Sequence, residues 1–186
     1  MKLVKRRERH AFVDKNMNKH YYLVTSLPYL KFGKEPDISS EEFLNECKKW
    51  VSWKEMELLN AAGAGFYEHQ KSEMPCLKEW AEFDGELKSS LSKFRKAEQS
   101  GKPASVQGNI KGVVDQETPL LMELAIEGIR WDFLEHKSAG YQFDINWLVL
   151  YFLRLQIAER IEKFDKDEGE KVFYKLCEVD YEKTSR

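Results

Sequence analysis

Only three cysteines occur in the chain, Cys47, Cys76 and Cys177, far apart and with neither a C-x-x-C pair nor a histidine at finger spacing. A disulfide framework needs an even, closely spaced set and a structural zinc site needs clustered ligands. Both are excluded, and the thiols are expected to be reduced, half-buried core residues. Long apolar runs are missing as well. The longest, Trp147 to Leu153, stops at Arg154, far short of the roughly 20 residues that cross a bilayer. Neither sign of charge dominates: 30 basic residues face 32 acidic ones for a net of -2, which gives no overall attraction to nucleic acid or to an anionic membrane. Phosphate-cradling G-x-x-x-x-G-K-[ST] and G-x-G-x-x-G patterns do not occur, and neither does a nucleophile elbow or a doubled Glu-x-x-His set of the kind di-metal bundles use. No catalytic residue, cofactor, metal or small-molecule substrate is therefore expected, nor any nucleic acid or direct insertion into a membrane.

What the chain does have is material for a core, with 42% hydrophobic and 13% aromatic residues in 186. Residues 1–16 stand apart. Lys2, Lys5, Arg6, Arg7 and Arg9 crowd their first ten positions with no apolar h-region behind them, so they read as a disordered basic leader rather than a secretion signal, with Met17 as the natural start. The four histidines, His10, His20, His69 and His136, are scattered and read as surface or capping residues.

The remainder predicts an all-α fold, an irregular multi-helix bundle packed round a buried helix near the C-terminus. Tyr21–Leu27 fits either a short buried strand or a helix, and its helical surroundings favour the helix. Ser39 with Glu42 forms a capping box ahead of Phe43, Leu44, Cys47 and Trp50, and Ser52 with Glu55 opens a second helix that Gly63 and Gly65 end. From Pro75 to Gln99, Leu77, Trp80, Phe83, Leu87, Leu91 and Phe94 recur at helical spacing on one face. Residues 100–117, with three glycines and Pro103, read as a mobile loop.

Thr118–Pro119 then caps a helix to about His136 that has two apolar stripes, one of Met122, Ile126, Ile129 and Phe133, the other of Leu120, Leu124 and Trp131. Asp144 caps the next, which is apolar on nearly every face from Ile145 to Leu153 and carries an i,i+4 pair, Glu159 with Lys163, further on. A last helix runs over about 166–179. The domain reading is a single helical domain over 17–180 with a frayed tail at 181–186.

Few residues carry candidate chemistry. Asp132 and His136, at i,i+4 beside Glu135, read as a solvated pair. Arg154 falls on the inward side of its helix, between Trp147, Ala158 and Ile161. An unpaired buried charge is costly, so a salt bridge to Asp132 or Glu127 is expected, with an interface or ligand contact as the functional reading. Trp131, Trp147, Tyr141 and Phe143 are expected to cluster at the turn between the two helices, so the candidate interface consists of Trp131, Tyr141, Phe143 and Arg154.

Two groups of short stretches resemble a known family. Y-Y-L-V-T-S-L-P (residues 21–28) and I-S-S-E-E-F-L (38–44), with I-R-W-D-F-L-E (129–135), G-Y-Q-F-D (140–144) and L-R-L-Q-I-A-E-R (153–160), are similar to an uncharacterised bacterial family encoded in V/A-type ATPase operons. The resemblance implies a non-catalytic helical accessory protein of the rotary ATPase, similar in role to the component that joins the central stalk to the membrane rotor ring. Its expected partners are V-type ATPase subunits, and its expected location is the cytoplasm, peripheral to the inner membrane through that complex. The alternative is a small helical enzyme or ligand-binding domain that uses the region of Asp132, His136 and Arg154.

Overall fold

The computed structural model describes residues 20–63, 74–101, 110–164 and 166–177. The basic leader, Gly65, His69 and the 181–186 tail lie outside them. Among the described residues there are eight helices and no strand: α1 Tyr21–Ser26, α2 Ser40–Cys47, α3 Trp53–Gly63, α4 Pro75–Gln99, α5 Lys111–Val114, α6 Pro119–Ser138, α7 Ile145–Glu162 and α8 Lys166–Cys177. The all-α class is as expected, and the Tyr21 segment is helix rather than strand.

Local chemistry explains the boundaries. Ser39 Oγ accepts from the Glu42 N–H while the Ser39 N–H donates back to Glu42, a complete capping box at α2. The Ser52 N–H and hydroxyl both donate to Glu55 at the start of α3. Thr118 accepts from the Leu121 N–H, with Pro119 at the first position of α6, and Asp144 accepts from the Trp147 N–H at the start of α7.

α7 is the axis of the molecule. Every residue from Leu148 to Leu155 is buried, so this helix is enclosed on all sides. α6 packs along it across the short 139–144 connection, and α2 and α3 close other sides. The Gly63 backbone lies so close that an added Cβ would stand 3.3 Å from the Phe152 ring, which is why a residue without a side chain ends α3 there. The main core joins Phe43, Leu59, Leu77, Trp131 and Leu134 to α7. A second, smaller core holds Leu87, Leu91, Ile110, Val113 and Ile126. The two stripes of α6 hold only in part: Met122, Ile126 and Ile129 face the second core, but Phe133 packs against the first with Trp131 and Leu134, and Leu120 is exposed.

Several expectations change. The described part of the 100–117 loop includes a helical turn, α5, whose Val113 is buried beside Ile110. Periodicity cannot announce so short an element. α2 stops at Cys47, leaving Trp50 in the following turn and exposed. Cys47 and Cys76 are fully rather than half buried. His20 is buried rather than at the surface, its Nε2 3.0 Å from Glu55; it stands at the N-cap position of α1, but its side chain makes no capping hydrogen bond. Glu159 does not serve an i,i+4 pair: its carboxylate accepts from the Ser40 N–H (2.5 Å) and hydroxyl (2.7 Å). Unsatisfied N–H groups at the start of α2 attract a carboxylate more strongly than an exposed lysine does.

Candidate functional site

Three helices bring ionised side chains into the interior. Glu127 and Arg130 are three residues apart on α6 and therefore share a face. Asp84 lies within the apolar stripe of α4, four residues after Trp80 and three before Leu87, and so meets that face from the other side. Arg130 donates to Asp84 from Nε (2.8 Å) and Nη2 (2.7 Å) and to Glu127 from Nη1 (2.8 Å). Arg160 on α7 reaches the same Glu127 oxygen at 3.1 Å and Glu123 at 3.4 Å, and Lys88 reaches Asp84 at 2.6 Å.

Glu127 is only 1% exposed and Asp84 only slightly more. Carboxylates so deep persist because they are paired and hydrogen-bonded. Burial draws the Arg130 guanidinium down, but Glu127 and Asp84 outweigh it and hold the group above its ordinary pKa. A cleft of about 280 Å³ opens on this cluster, also lined by Gly63, Trp80 and Gln156. The three acids, Asp84, Glu123 and Glu127, are matched by three bases, Lys88, Arg130 and Arg160.

Arg154 takes no part in this network, contrary to expectation. Its predicted partner Glu127 is taken by Arg130 and Arg160, and Asp132 is not bound to it. The reason is position along the axis. Glu127 and Trp131 share a face of α6 one turn apart, and α7 meets that face with Arg160 at Glu127 and Arg154 at Trp131, six residues or about 9 Å away along its axis. Arg154 is 6% exposed, and its Nε has no hydrogen-bond partner. The guanidinium lies over the Trp131 ring, 5.8 Å from its centroid. Burial pulls its pKa below the ordinary arginine value, opposed by Glu135, Tyr29 and Tyr151.

The four candidate interface residues separate into different surroundings. Trp131 and Arg154 are together and buried. Phe32 covers Trp131 from outside with ring centroids 5.7 Å apart, and the same ring sits over Gly128. Tyr141 packs against the main core. Phe143 adopts a left-handed backbone, φ 54°, a costly state for a bulky residue, and its ring meets Tyr21 at 4.9 Å. Trp147 stacks on Tyr151 at 5.3 Å instead of joining a common cluster. Asp132 and His136 line a hollow of about 420 Å³ with Phe83, Ile129 and Phe133. The His136 ring nitrogen meets the Asp132 backbone oxygen at 2.9 Å rather than its carboxylate, and no metal-holding group of ligands occurs among the described residues.

A feature that periodicity did not flag is a row of rings at the surface. Phe143 touches Tyr21, Tyr21 meets Tyr22 edge-on at 5.7 Å, and Tyr22 stacks on Trp50 at 6.4 Å. Tyr22 is 69% exposed, Tyr21 and Trp50 nearly half, and Trp53 at the start of α3 is 72% exposed. The density of tyrosine and tryptophan between residues 21 and 53 was the available signal. It was hidden because aromatic residues are ordinarily assigned to the core.

Residues 105–181 match a family model described as a protein of unknown function, DUF2764. The match spans α5 to α8 and includes Trp131, Tyr141, Phe143 and Arg154, together with three of the five stretches that carry the resemblance. The stretches at 21–28 and 38–44 lie outside it. No curated protein and no solved structure matches the chain. Among the described residues, no helix is long and apolar enough to cross a membrane.

Proposed function

We propose that the chain is a non-catalytic accessory or structural component of a bacterial V-type ATPase, linking the stalk to the rotor ring and held at the membrane periphery only through its partners. The observation that carries the interaction part of this reading is the row Phe143, Tyr21, Tyr22 and Trp50, with Trp53, three residues on from Trp50 in the chain, exposed as well. Tyrosine and tryptophan are the residues most enriched where proteins grip one another, because they bury large area at small entropic cost. Exposing several together costs solubility unless a partner covers them.

The charge cluster supports the same reading. Its acids and bases offset one another within the fold, as suits a group that locks three helices together. The rotary ATPase as partner rests on the five sequence stretches, three of which fall inside the 105–181 match. Gene neighbourhood is the economical test. Genes for V-type ATPase subunits should flank this one in its host, and a locus without any of them counts against the assignment.

A further inference from the structure

Among the described residues two buried polar atoms lack a hydrogen-bond partner, His20 Nδ1 and Arg154 Nε, and of the two side chains only His20 has another polar contact, to Glu55. An arginine stays protonated throughout the physiological range, and a cation this deep in a protein normally has a carboxylate bound to it. Here Arg154 Nε has no hydrogen-bond partner, and no carboxylate among the described residues is paired with the guanidinium. What holds it is the face of Trp131.

α7 fixes the backbone of Arg154, and its guanidinium lies over Trp131. The segment between α1 and α2 passes beside them: Phe32 meets the Trp131 ring and Tyr29 acts electrostatically on Arg154, the two rings being 40% and 72% exposed. That segment is pinned at one point by the Tyr151 hydroxyl, which donates to the Pro28 carbonyl at 2.8 Å, and turns at Gly33 through a left-handed φ of 71°. The carboxylate whose charge acts on Arg154 is Glu135, an exposed side chain one turn along α6 from Trp131 that forms no ion pair with it.

We infer that Arg154 is the anchor of a docking site for a partner polypeptide, whose aspartate or glutamate carboxylate completes the guanidinium while its apolar neighbours rest on Tyr29 and Phe32. A planar guanidinium held in place recognises a carboxylate through two parallel hydrogen bonds. The exposed rings beside it supply the apolar area that a lone small carboxylate cannot use, which favours a polypeptide over a free acid. The inference rests on reading the chain as an interaction component and names the chemistry of one contact.

The test follows the side-chain Nε–Hε resonance of Arg154 in the intact, 15N-arginine-labelled chain, assigned by its disappearance in Arg154→Lys. The probes are the capped tripeptide Leu-Glu-Leu, its Leu-Gln-Leu counterpart, and acetate. The glutamate peptide should shift the resonance saturably and the glutamine peptide should not. Acetate should need at least about tenfold more, a difference of about 1.4 kcal/mol.

No shift with the glutamate peptide, or equal shifts with both peptides, overturns the inference. Acetate acting at the same concentration as the peptide overturns it in favour of a small-carboxylate site. Glu135→Gln should leave the free resonance in place and peptide binding undiminished. If that substitution alone moves the resonance, Glu135 is the counter-ion in solution and the site is already filled. A peptide result against the site leaves the ATPase reading to its own tests, since those do not pass through Arg154.

Discussion

Replacing Arg130 by methionine removes the cation that two buried carboxylates share. Breaking a buried pair from one side costs about 3–5 kcal/mol, because the remaining charge keeps its desolvation penalty. Here each carboxylate retains a second cation, Lys88 at 2.6 Å from Asp84 and Arg160 at 3.1 Å from Glu127. Both of those side chains are more than half exposed, and contacts of that kind are worth only about 0–1 kcal/mol each. The expected loss for Arg130→Met is therefore about 2–4 kcal/mol.

In a chain of this size a loss of that order lowers the midpoint of thermal unfolding by roughly 4–16 °C, and urea titration with an unchanged slope measures it directly. The decisive comparison is a triple variant, Asp84→Leu, Glu127→Leu and Arg130→Met. It removes the desolvation penalties together with the pairing and should lie within about 1 kcal/mol of the parent. If Arg130→Met unfolds with the parent's midpoint, or the triple variant is less stable than the single one, the account of the cluster as a self-compensating lock is wrong.

Four further outcomes follow from individual contacts. Burial pushes the Cys47 thiol up to about 12 and, as the chief cause, the Cys76 thiol up to about 11. In a Cys177→Ser background neither should react with a disulfide reagent at pH 8 until the chain is unfolded. Above the unfolded thiol pKa the unfolded chain loses those protons while the folded chain keeps them, so stability should fall as pH rises from about 9 to 11. The fall contributed by Cys47 is about 1.4 kcal/mol per pH unit and should vanish in Cys47→Ala. Glu159→Gln replaces the carboxylate at the start of α2 by a neutral amide and should lower stability by about 1–2 kcal/mol in urea titration. Gly33→Ala places a Cβ on a left-handed residue in otherwise open space, and calorimetry should find a loss of about 1–2 kcal/mol, which is conformational strain alone.

The sequence announced those features that are set within a few residues. Ser39 with Glu42, Thr118 with Pro119, and Asp144 each mark a helix start through a hydrogen bond to a backbone only three residues away, and all three occur as expected. The enclosure of α7 was legible because almost no polar residue interrupts Leu148–Leu153. Partnerships between distant residues were not legible. Periodicity places a side chain on a face but does not say what stands opposite, and Asp84 with Arg130 or Ser40 with Glu159 are joined only once the helices have packed.

Arg154 shows both sides of this limit. Its inward direction followed from the helical wheel, whereas its partner depended on how far α6 and α7 are set along each other. The surface row was missed for a different reason. Tyr22 and Trp50 have the composition of core residues, and only their placement at the short α1 and past the end of α2 puts them in solvent.

The central claim, that this chain works by holding rotary ATPase subunits, is tested most directly by passing purified intact protein over immobilised V1 and Vo parts. Saturable retention is predicted. It should be abolished by the double substitution Tyr22→Ser and Trp50→Ser while the circular dichroism of the chain is unchanged. Passage without retention of the parent protein, or undiminished retention of the double variant, contradicts the account.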